Sequence, residues 1–93
     1  MDLSDEILTE MSYVNISTYR TKVMKCLDGE VKMPSEIAKD SGIRNNHISK
    51  VLSELKAHEL AECINPEVRK GRLYRLTDKG DAIVKNLDKF DDW

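Results

Sequence analysis

Apolar positions recur at helical spacing over most of this chain and alternate over one short stretch near its end. The pattern is sharpest between residues 34 and 57. Ile37 and Ala38 form the apolar face of a short helix, which Pro34 opens at a position where its missing N–H costs nothing. Glu36 in its first turn suits the positive end of the helix dipole. Gly42 stops this helix, because glycine enters the left-handed conformation cheaply, and Ile43 plugs the corner. Asn45 is a fitting cap for a second helix, in which Ile48, Val51, Leu52 and Leu55 recur at i, i+3, i+4 and i+7. Its other face, Asn46, His47, Ser49, Lys50, Ser53 and Lys56, is polar and carries no acid.

The flanks are read the same way. Ser4 caps a short N-terminal helix or arm over 4–13, with Ile7, Leu8 and Met11 as its stripe; a segment this short must pack on something, such as a second subunit. Asn15 or Ser17 begins the next helix, which runs to about Leu27, with Ile16, Tyr19, Val23 and Leu27 on its apolar face and Arg20, Lys22 and Lys25 on or near the other. Val31 and Lys32 form a very short strand. Leu60–Ile64 and Arg72–Leu76 predict two strands around a polar loop whose tip is Arg69-Lys70, with Tyr74 and Leu76 inward and Arg75 outward. Thr77 caps a last helix with Ala82, Ile83, Leu87 and Phe90 on its apolar side, and Trp93 is available to dock on a partner.

The order helix, helix-turn-helix, hairpin, helix is α+β, mostly α. The residues that fix it are Ile37, Ala38, Gly42, Ile43, Ile48 and Val51, together with the stretches 49–64 and Gly-Arg-Leu-Tyr-Arg-Leu-Thr-Asp-Lys-Gly, 71–80. Over roughly residues 16–88 they resemble the winged helix-turn-helix of MarR-like, ArsR-like and related archaeal-type small transcriptional regulators. That resemblance implies a three-helix core, a β-hairpin wing and a C-terminal helix over 15–93, preceded by an arm or short helix over 1–14. Two departures stand out. These families place glycine before the leucine at position 60, where this chain has Glu59. Either the helix exit differs or a non-glycine residue takes a strained conformation. Met33 also occupies the cap of the first helix of the pair, where Ser or Thr is usual. The larger helical dimer domain and ligand cleft of MarR-like proteins have no counterpart in 93 residues, so the resemblance is to a minimal winged helix.

The resemblance implies a DNA-binding regulator, and the residues supply the chemistry. The second helix presents Asn45, Asn46 and His47 at its start, with Ser49 and Lys50 one turn on. Asparagine bonds adenine bidentately, and lysine reads guanine or holds phosphate. Arg44 and Ser35 are placed for backbone phosphate beside helix N-termini. Arg69, Lys70 and Arg72 of the wing are placed for the minor groove or flanking phosphates. Double-stranded DNA is the expected partner. A homodimer is expected too, because one small winged helix covers few base pairs.

Charge adds a qualification. The net charge is −2, which alone argues against nucleic acid, but residues 44–75 carry +3 while residues 1–15 carry −4 and residues 76–93 carry −2. A phosphate-facing surface with an acidic back has this distribution. The modest +3 leaves a second reading, a winged helix used for protein contact within a larger assembly. Cys26 and Cys63 belong to no metal-ligand cluster, and the second helix lacks the thiolates of metal-sensing ArsR-like repressors. No cofactor is expected. A redox sensor would need an exposed thiol of low pKa, which nothing in the sequence marks. No catalytic motif occurs, so an enzyme is not expected. The acidic start is unlike a signal peptide, and no apolar run approaches the ~20 residues of a membrane span. A cytoplasmic location is expected.

Overall fold

A computed structural model describes residues 5–91, with side chains to Leu87. Five helices and one hairpin follow in the order α1 (Asp5–Asn15), α2 (Thr18–Cys26), α3 (Pro34–Ser41), α4 (Asn45–Ala57), β1 (Ala61–Cys63), β2 (Tyr74–Leu76) and α5 (Asp78–Asp91). This is the winged helix-turn-helix order. The expectations for Ser4, Phe90 and Trp93 fall outside what is described.

Helix α1 buries Met11 and Val14, with Ile7 partly buried against the core, while Leu8 stays exposed. The buried face is therefore the i, i+4, i+7 row of Ile7, Met11 and Val14 rather than the stripe containing Leu8. It packs on α2 and α5 of its own chain. Of the two starts the sequence allowed for α2, Asn15 and Ser17, the structure takes Ser17. Ser17 is the N-cap, its Oγ accepting from Arg20 N at 3.2 Å. Ile16 thus lies in the α1–α2 corner, 79% exposed, and Tyr19 in the first turn is 42% exposed. Val23 and Leu27 are buried as the pattern expected, and Met24 joins them.

The α3–α4 pair follows the sequence closely. Ile37 is fully buried, and Gly42 has φ 74° and closes α3 by donating to Ala38 O at 2.9 Å. Met33 offers no side-chain cap, but Glu36 Oε1 accepts from Met33 N at 2.9 Å, which secures the start in another way. Asn45 is not the cap of α4. Gly42 and buried Ile43 complete the corner early, so Arg44 takes the extended cap conformation and its carbonyl accepts from His47 and Ile48 N. Ile48, Val51, Leu52 and Leu55 are all buried.

Helix α4 ends with Glu59 at φ 60°. Leu60 N donates to Leu55 O at 2.8 Å and Glu59 N to Lys56 O at 3.0 Å, the paired bonds of a Schellman motif with a non-glycine residue at its left-handed position. Leu55 and Leu60, both fully buried, supply the apolar contact that holds the motif. Replacing Glu59 by glycine removes the Cβ strain at some entropic cost. The expected gain is about 0.5–1 kcal/mol, seen as a rise of several degrees in the thermal midpoint.

The hairpin pairs Ala61 with Leu76, Glu62 with Arg75 and Cys63 with Tyr74. Tyr74 also exchanges both backbone hydrogen bonds with Lys32, so the short stretch expected at Val31–Lys32 is a single bridge to β2. Tyr74 and Leu76 point inward and Arg75 outward, where its Nε meets Glu62 Oε2 at 2.8 Å. Thr77 caps α5 by accepting from Gly80 N at 3.1 Å, and its hydroxyl donates to Glu59 O at 2.6 Å.

A polar cluster joins α1, α2 and α4. The Arg20 guanidinium lies 3.8 Å from the Tyr13 ring centroid, and the His58 ring stacks on Tyr13 at 3.8 Å. Two groups that close to one centroid must occupy its opposite faces. Arg20 also donates to Tyr13 O at 3.0 Å and to Glu54 Oε2 at 3.1 Å, and His58 Nδ1 sits 3.0 Å from Glu10 Oε2. Lys79 ties α5 to this side through Glu6 Oε1 at 2.8 Å and His58 O at 3.3 Å. The sequence placed Arg20 on or near a solvent face, yet its side chain is only 16% exposed.

Burial raises the Tyr13 phenol above its ordinary 10.0 and the Cys26 thiol above its ordinary 9.0. Hydrogen bonds to Asp40 and Glu6 raise Lys32 and Lys79 above 10.5. A raised folded-state pKa contributes stability that is present below the unfolded value and lost as pH climbs through the folded one. The melting midpoint is therefore expected to hold through neutral pH and fall above about pH 9, and Tyr13→Phe to shallow that fall in a pH series of thermal melts.

Candidate nucleic-acid interface

Helix α4 turns its aliphatic row inward, so the remaining residues face solvent. Asn45, Asn46, Ser49, Lys50 and Ser53 are exposed, as are Arg44 at the cap and Ser35 in the first turn of α3. None of these is acidic. His47 is half-buried because its ring meets that of Tyr19 at 5.2 Å between centroids, tilted 53°. Glu54, the first acid along α4, is drawn aside by Arg20.

The wing loop is held by its own side chains. Asn65 Nδ2 donates to Gly71 O at 3.1 Å, and its Oδ1 accepts from Leu73 N at 2.7 Å. Arg72 Nε donates to Val68 O at 2.7 Å and its guanidinium reaches Pro66 O at 3.4 Å. Arg72 thus braces the loop, and Arg69 and Lys70 project from it, both exposed. The base of the wing adjoins the last turn of α4 across a cleft of about 490 Å³ whose walls include Lys56, Glu59, Cys63 and Pro66.

The cations of α4 and of the wing tip lack carboxylate partners among the described residues. Among the described residues, Arg20, Lys32, Arg75 and Lys79 each have a carboxylate within 4.0 Å, whereas Arg44, Lys50, Lys56, Arg69 and Lys70 have none. Cations without an acidic partner attract phosphate undiminished. Among the described residues there is no cluster of three or more His, Cys, Asp or Glu able to hold a metal ion, and no helix is long and apolar enough to cross a membrane. Cys26 and Cys63 are free thiols, both half-buried.

The fold defined by these elements is that of MarR-family winged-helix transcription regulators. Lactococcus lactis ZitR matches with a TM-score of 0.72 at 18% identity over 82% of this chain and 53% of its own. Bordetella bronchiseptica BpsR, whose DNA binding is regulated by 6-hydroxynicotinic acid, matches with a TM-score of 0.76 at 20% identity over 92% of this chain and 73% of its own. A MarR family transcriptional regulator from Silicibacter pomeroyi matches with a TM-score of 0.71 at 18% identity over 94% of this chain and 65% of its own. The chain therefore spans little more than half the length of some of these proteins. No protein-family model matches the sequence, and no curated protein does.

Two features of this side escaped the sequence pattern. Tyr19 was assigned to the core face because its spacing from Val23 is helical, but it lies in the first turn of α2, at the edge of the core, where its ring meets His47. Arg72 was grouped with the wing-tip cations, and the carbonyl bonds that occupy its guanidinium had no sequence signal.

Proposed function

We propose that this chain is a sequence-specific DNA-binding transcriptional regulator, not an enzyme, working in the cytoplasm. Residues 45–57 enter the major groove, and wing residues 65–72 lie on the flanking backbone or minor groove. Asn45, Asn46 and His47 approach base edges. Ser49 and Lys50 take the next positions, and Ser35, Arg44, Arg69 and Lys70 hold phosphates. Arg72 stiffens the wing and adds its charge.

The observation that carries this reading is the acid-free exposed face of α4, from Arg44 to Ser53, together with Arg44, Lys50, Lys56, Arg69 and Lys70, which no carboxylate neutralises among the described residues. The neighbours in fold are regulators, which agrees with it. A homodimer on a two-fold site supplies the affinity one module lacks. Helices α1 and α5 pack together, and Leu8 at 44% exposure leaves apolar surface on that side for a second copy. The domain is proposed to comprise 15–93, with 1–14 as an N-terminal extension whose Met11 and Val14 complete its core.

The test is binding to a pool of random duplex DNA at low salt, followed by selection. Affinity should fall steeply as salt rises, and a palindromic site should emerge. The net charge of −2 favours the rival reading, a protein-contact module. Duplex binding that is absent at low salt decides for the rival.

A further inference from the structure

We infer that Tyr19, on α2, is an additional DNA-contacting residue: its phenol shares a backbone phosphate with Lys50, and its ring sets the orientation of His47. This rests on the reading of α4 as the DNA-facing helix.

A cleft of about 320 Å³ lies between the first turn of α2 and the outer face of α4, with Ser17, Tyr19, Arg20, His47, Lys50 and Glu54 among its walls. Three of these converge on the proposed DNA side from two helices. His47 and Lys50 belong to the exposed face of α4, and Tyr19 meets His47 ring to ring. The cleft's electrostatics favour an anion. Glu54 is its acid, and Arg20 Nη2 holds that carboxylate at 3.1 Å, so the pair cancels. Lys50 remains as the charge without a carboxylate partner among the described residues. The backbone amides of Thr18 and Tyr19, which open α2, have no acceptor among the described residues and add donors on the same side.

Tyrosine suits this place chemically. A phenol donates one hydrogen bond to a phosphate oxygen without bringing charge. The residue is 42% exposed, so its phenol is open to a ligand at this edge. Contact with His47 removes rotamers from the imidazole before DNA arrives, which lowers the ordering cost on binding.

The experiment compares wild type, Tyr19→Phe and Tyr19→Ala on the selected duplex and on random duplex. Thermal melting checks the fold. Tyr19→Phe is expected to weaken both duplexes by roughly 5–10-fold, with the salt slope unchanged because no cation is lost. Tyr19→Ala is expected to lose at least as much and also to narrow the ratio between selected and random duplex, since His47 is no longer held. Wild-type affinity in both variants overturns the inference, and a Lys50→Glu variant that loses binding in the same assay shows that the reading of α4 survives it. Failure of wild type itself to bind duplex overturns both.

Discussion

Gly80→Ala is expected to destabilise the fold by about 3 kcal/mol or more, the largest effect of any single methyl group. A Cβ built on Gly80 overlaps the carbonyl oxygen of Leu60 and falls 3.3 Å from Leu76 Cβ. The opposing atom is backbone, so no rotamer change relieves the overlap. That carbonyl is also committed, because it accepts from Thr77 N at 3.0 Å where the hairpin turns into α5. The first turn of α5 must therefore lift off the end of α4, loosening Leu60 and Leu76 together. Chemical denaturation should show a midpoint lowered by that amount with the m-value retained. Gly80→Ser should behave alike, since the conflict lies at Cβ and not beyond it. A variant as stable as wild type would mean that α5 does not approach Leu60 this closely.

Charge reversal on the proposed DNA face carries the largest functional effect. Lys50→Glu and Arg69→Glu are each expected to cost roughly 10–100-fold in duplex affinity at low salt and to lower the salt slope by about one. Both side chains are exposed, with no ion pair among the described residues, so neither change should disturb the core. The double variant should approach no measurable binding, because the sites lie on separate elements and their losses add. Lys85→Glu on α5 makes the same change in net charge at an exposed position outside α3, α4 and the wing. It should cost little, which separates a local contact from the general field of the molecule. The readout is fluorescence anisotropy of a labelled duplex across a salt series. Equal losses in all variants would assign the effect to net charge alone.

Much of this architecture was legible in the chain. The residues between Pro34 and Ala57 obey one local rule each, from the left-handed stop at Gly42 to the inward aliphatic row of α4, and their joint spacing admits few alternatives. The inward and outward sides of the return strand followed from the alternation of Tyr74, Arg75 and Leu76. The departure at Glu59 was visible as a conflict, and the structure resolves it by accepting the left-handed residue, with Leu55 and Leu60 packed beneath.

What the sequence withheld depended on other parts of the chain. Ile16 and Tyr19 share helical spacing with Val23, but with the cap at Ser17, one of the two starts the sequence allowed, Ile16 falls in the corner and Tyr19 at the edge of the core. Arg20 looks like a solvent residue until Tyr13 and Glu54 are brought against it from α1 and α4. Asn45 had the composition of a cap, yet the corner at Ile43 had already fixed the chain's direction one residue earlier. Gly80 was part of a recognised signature without a reason. The reason is a carbonyl twenty residues upstream.

The Arg20–Tyr13–His58 stack has a mechanical meaning for the whole molecule. One aromatic ring from the first helix is gripped between a guanidinium of the second and an imidazole at the tail of the fourth, so those three segments have no hinge between them. Trimming the chain back to Asn15 would therefore do more than shorten it: it would remove Met11 and Val14 from the core and leave the rear of α4 without Tyr13.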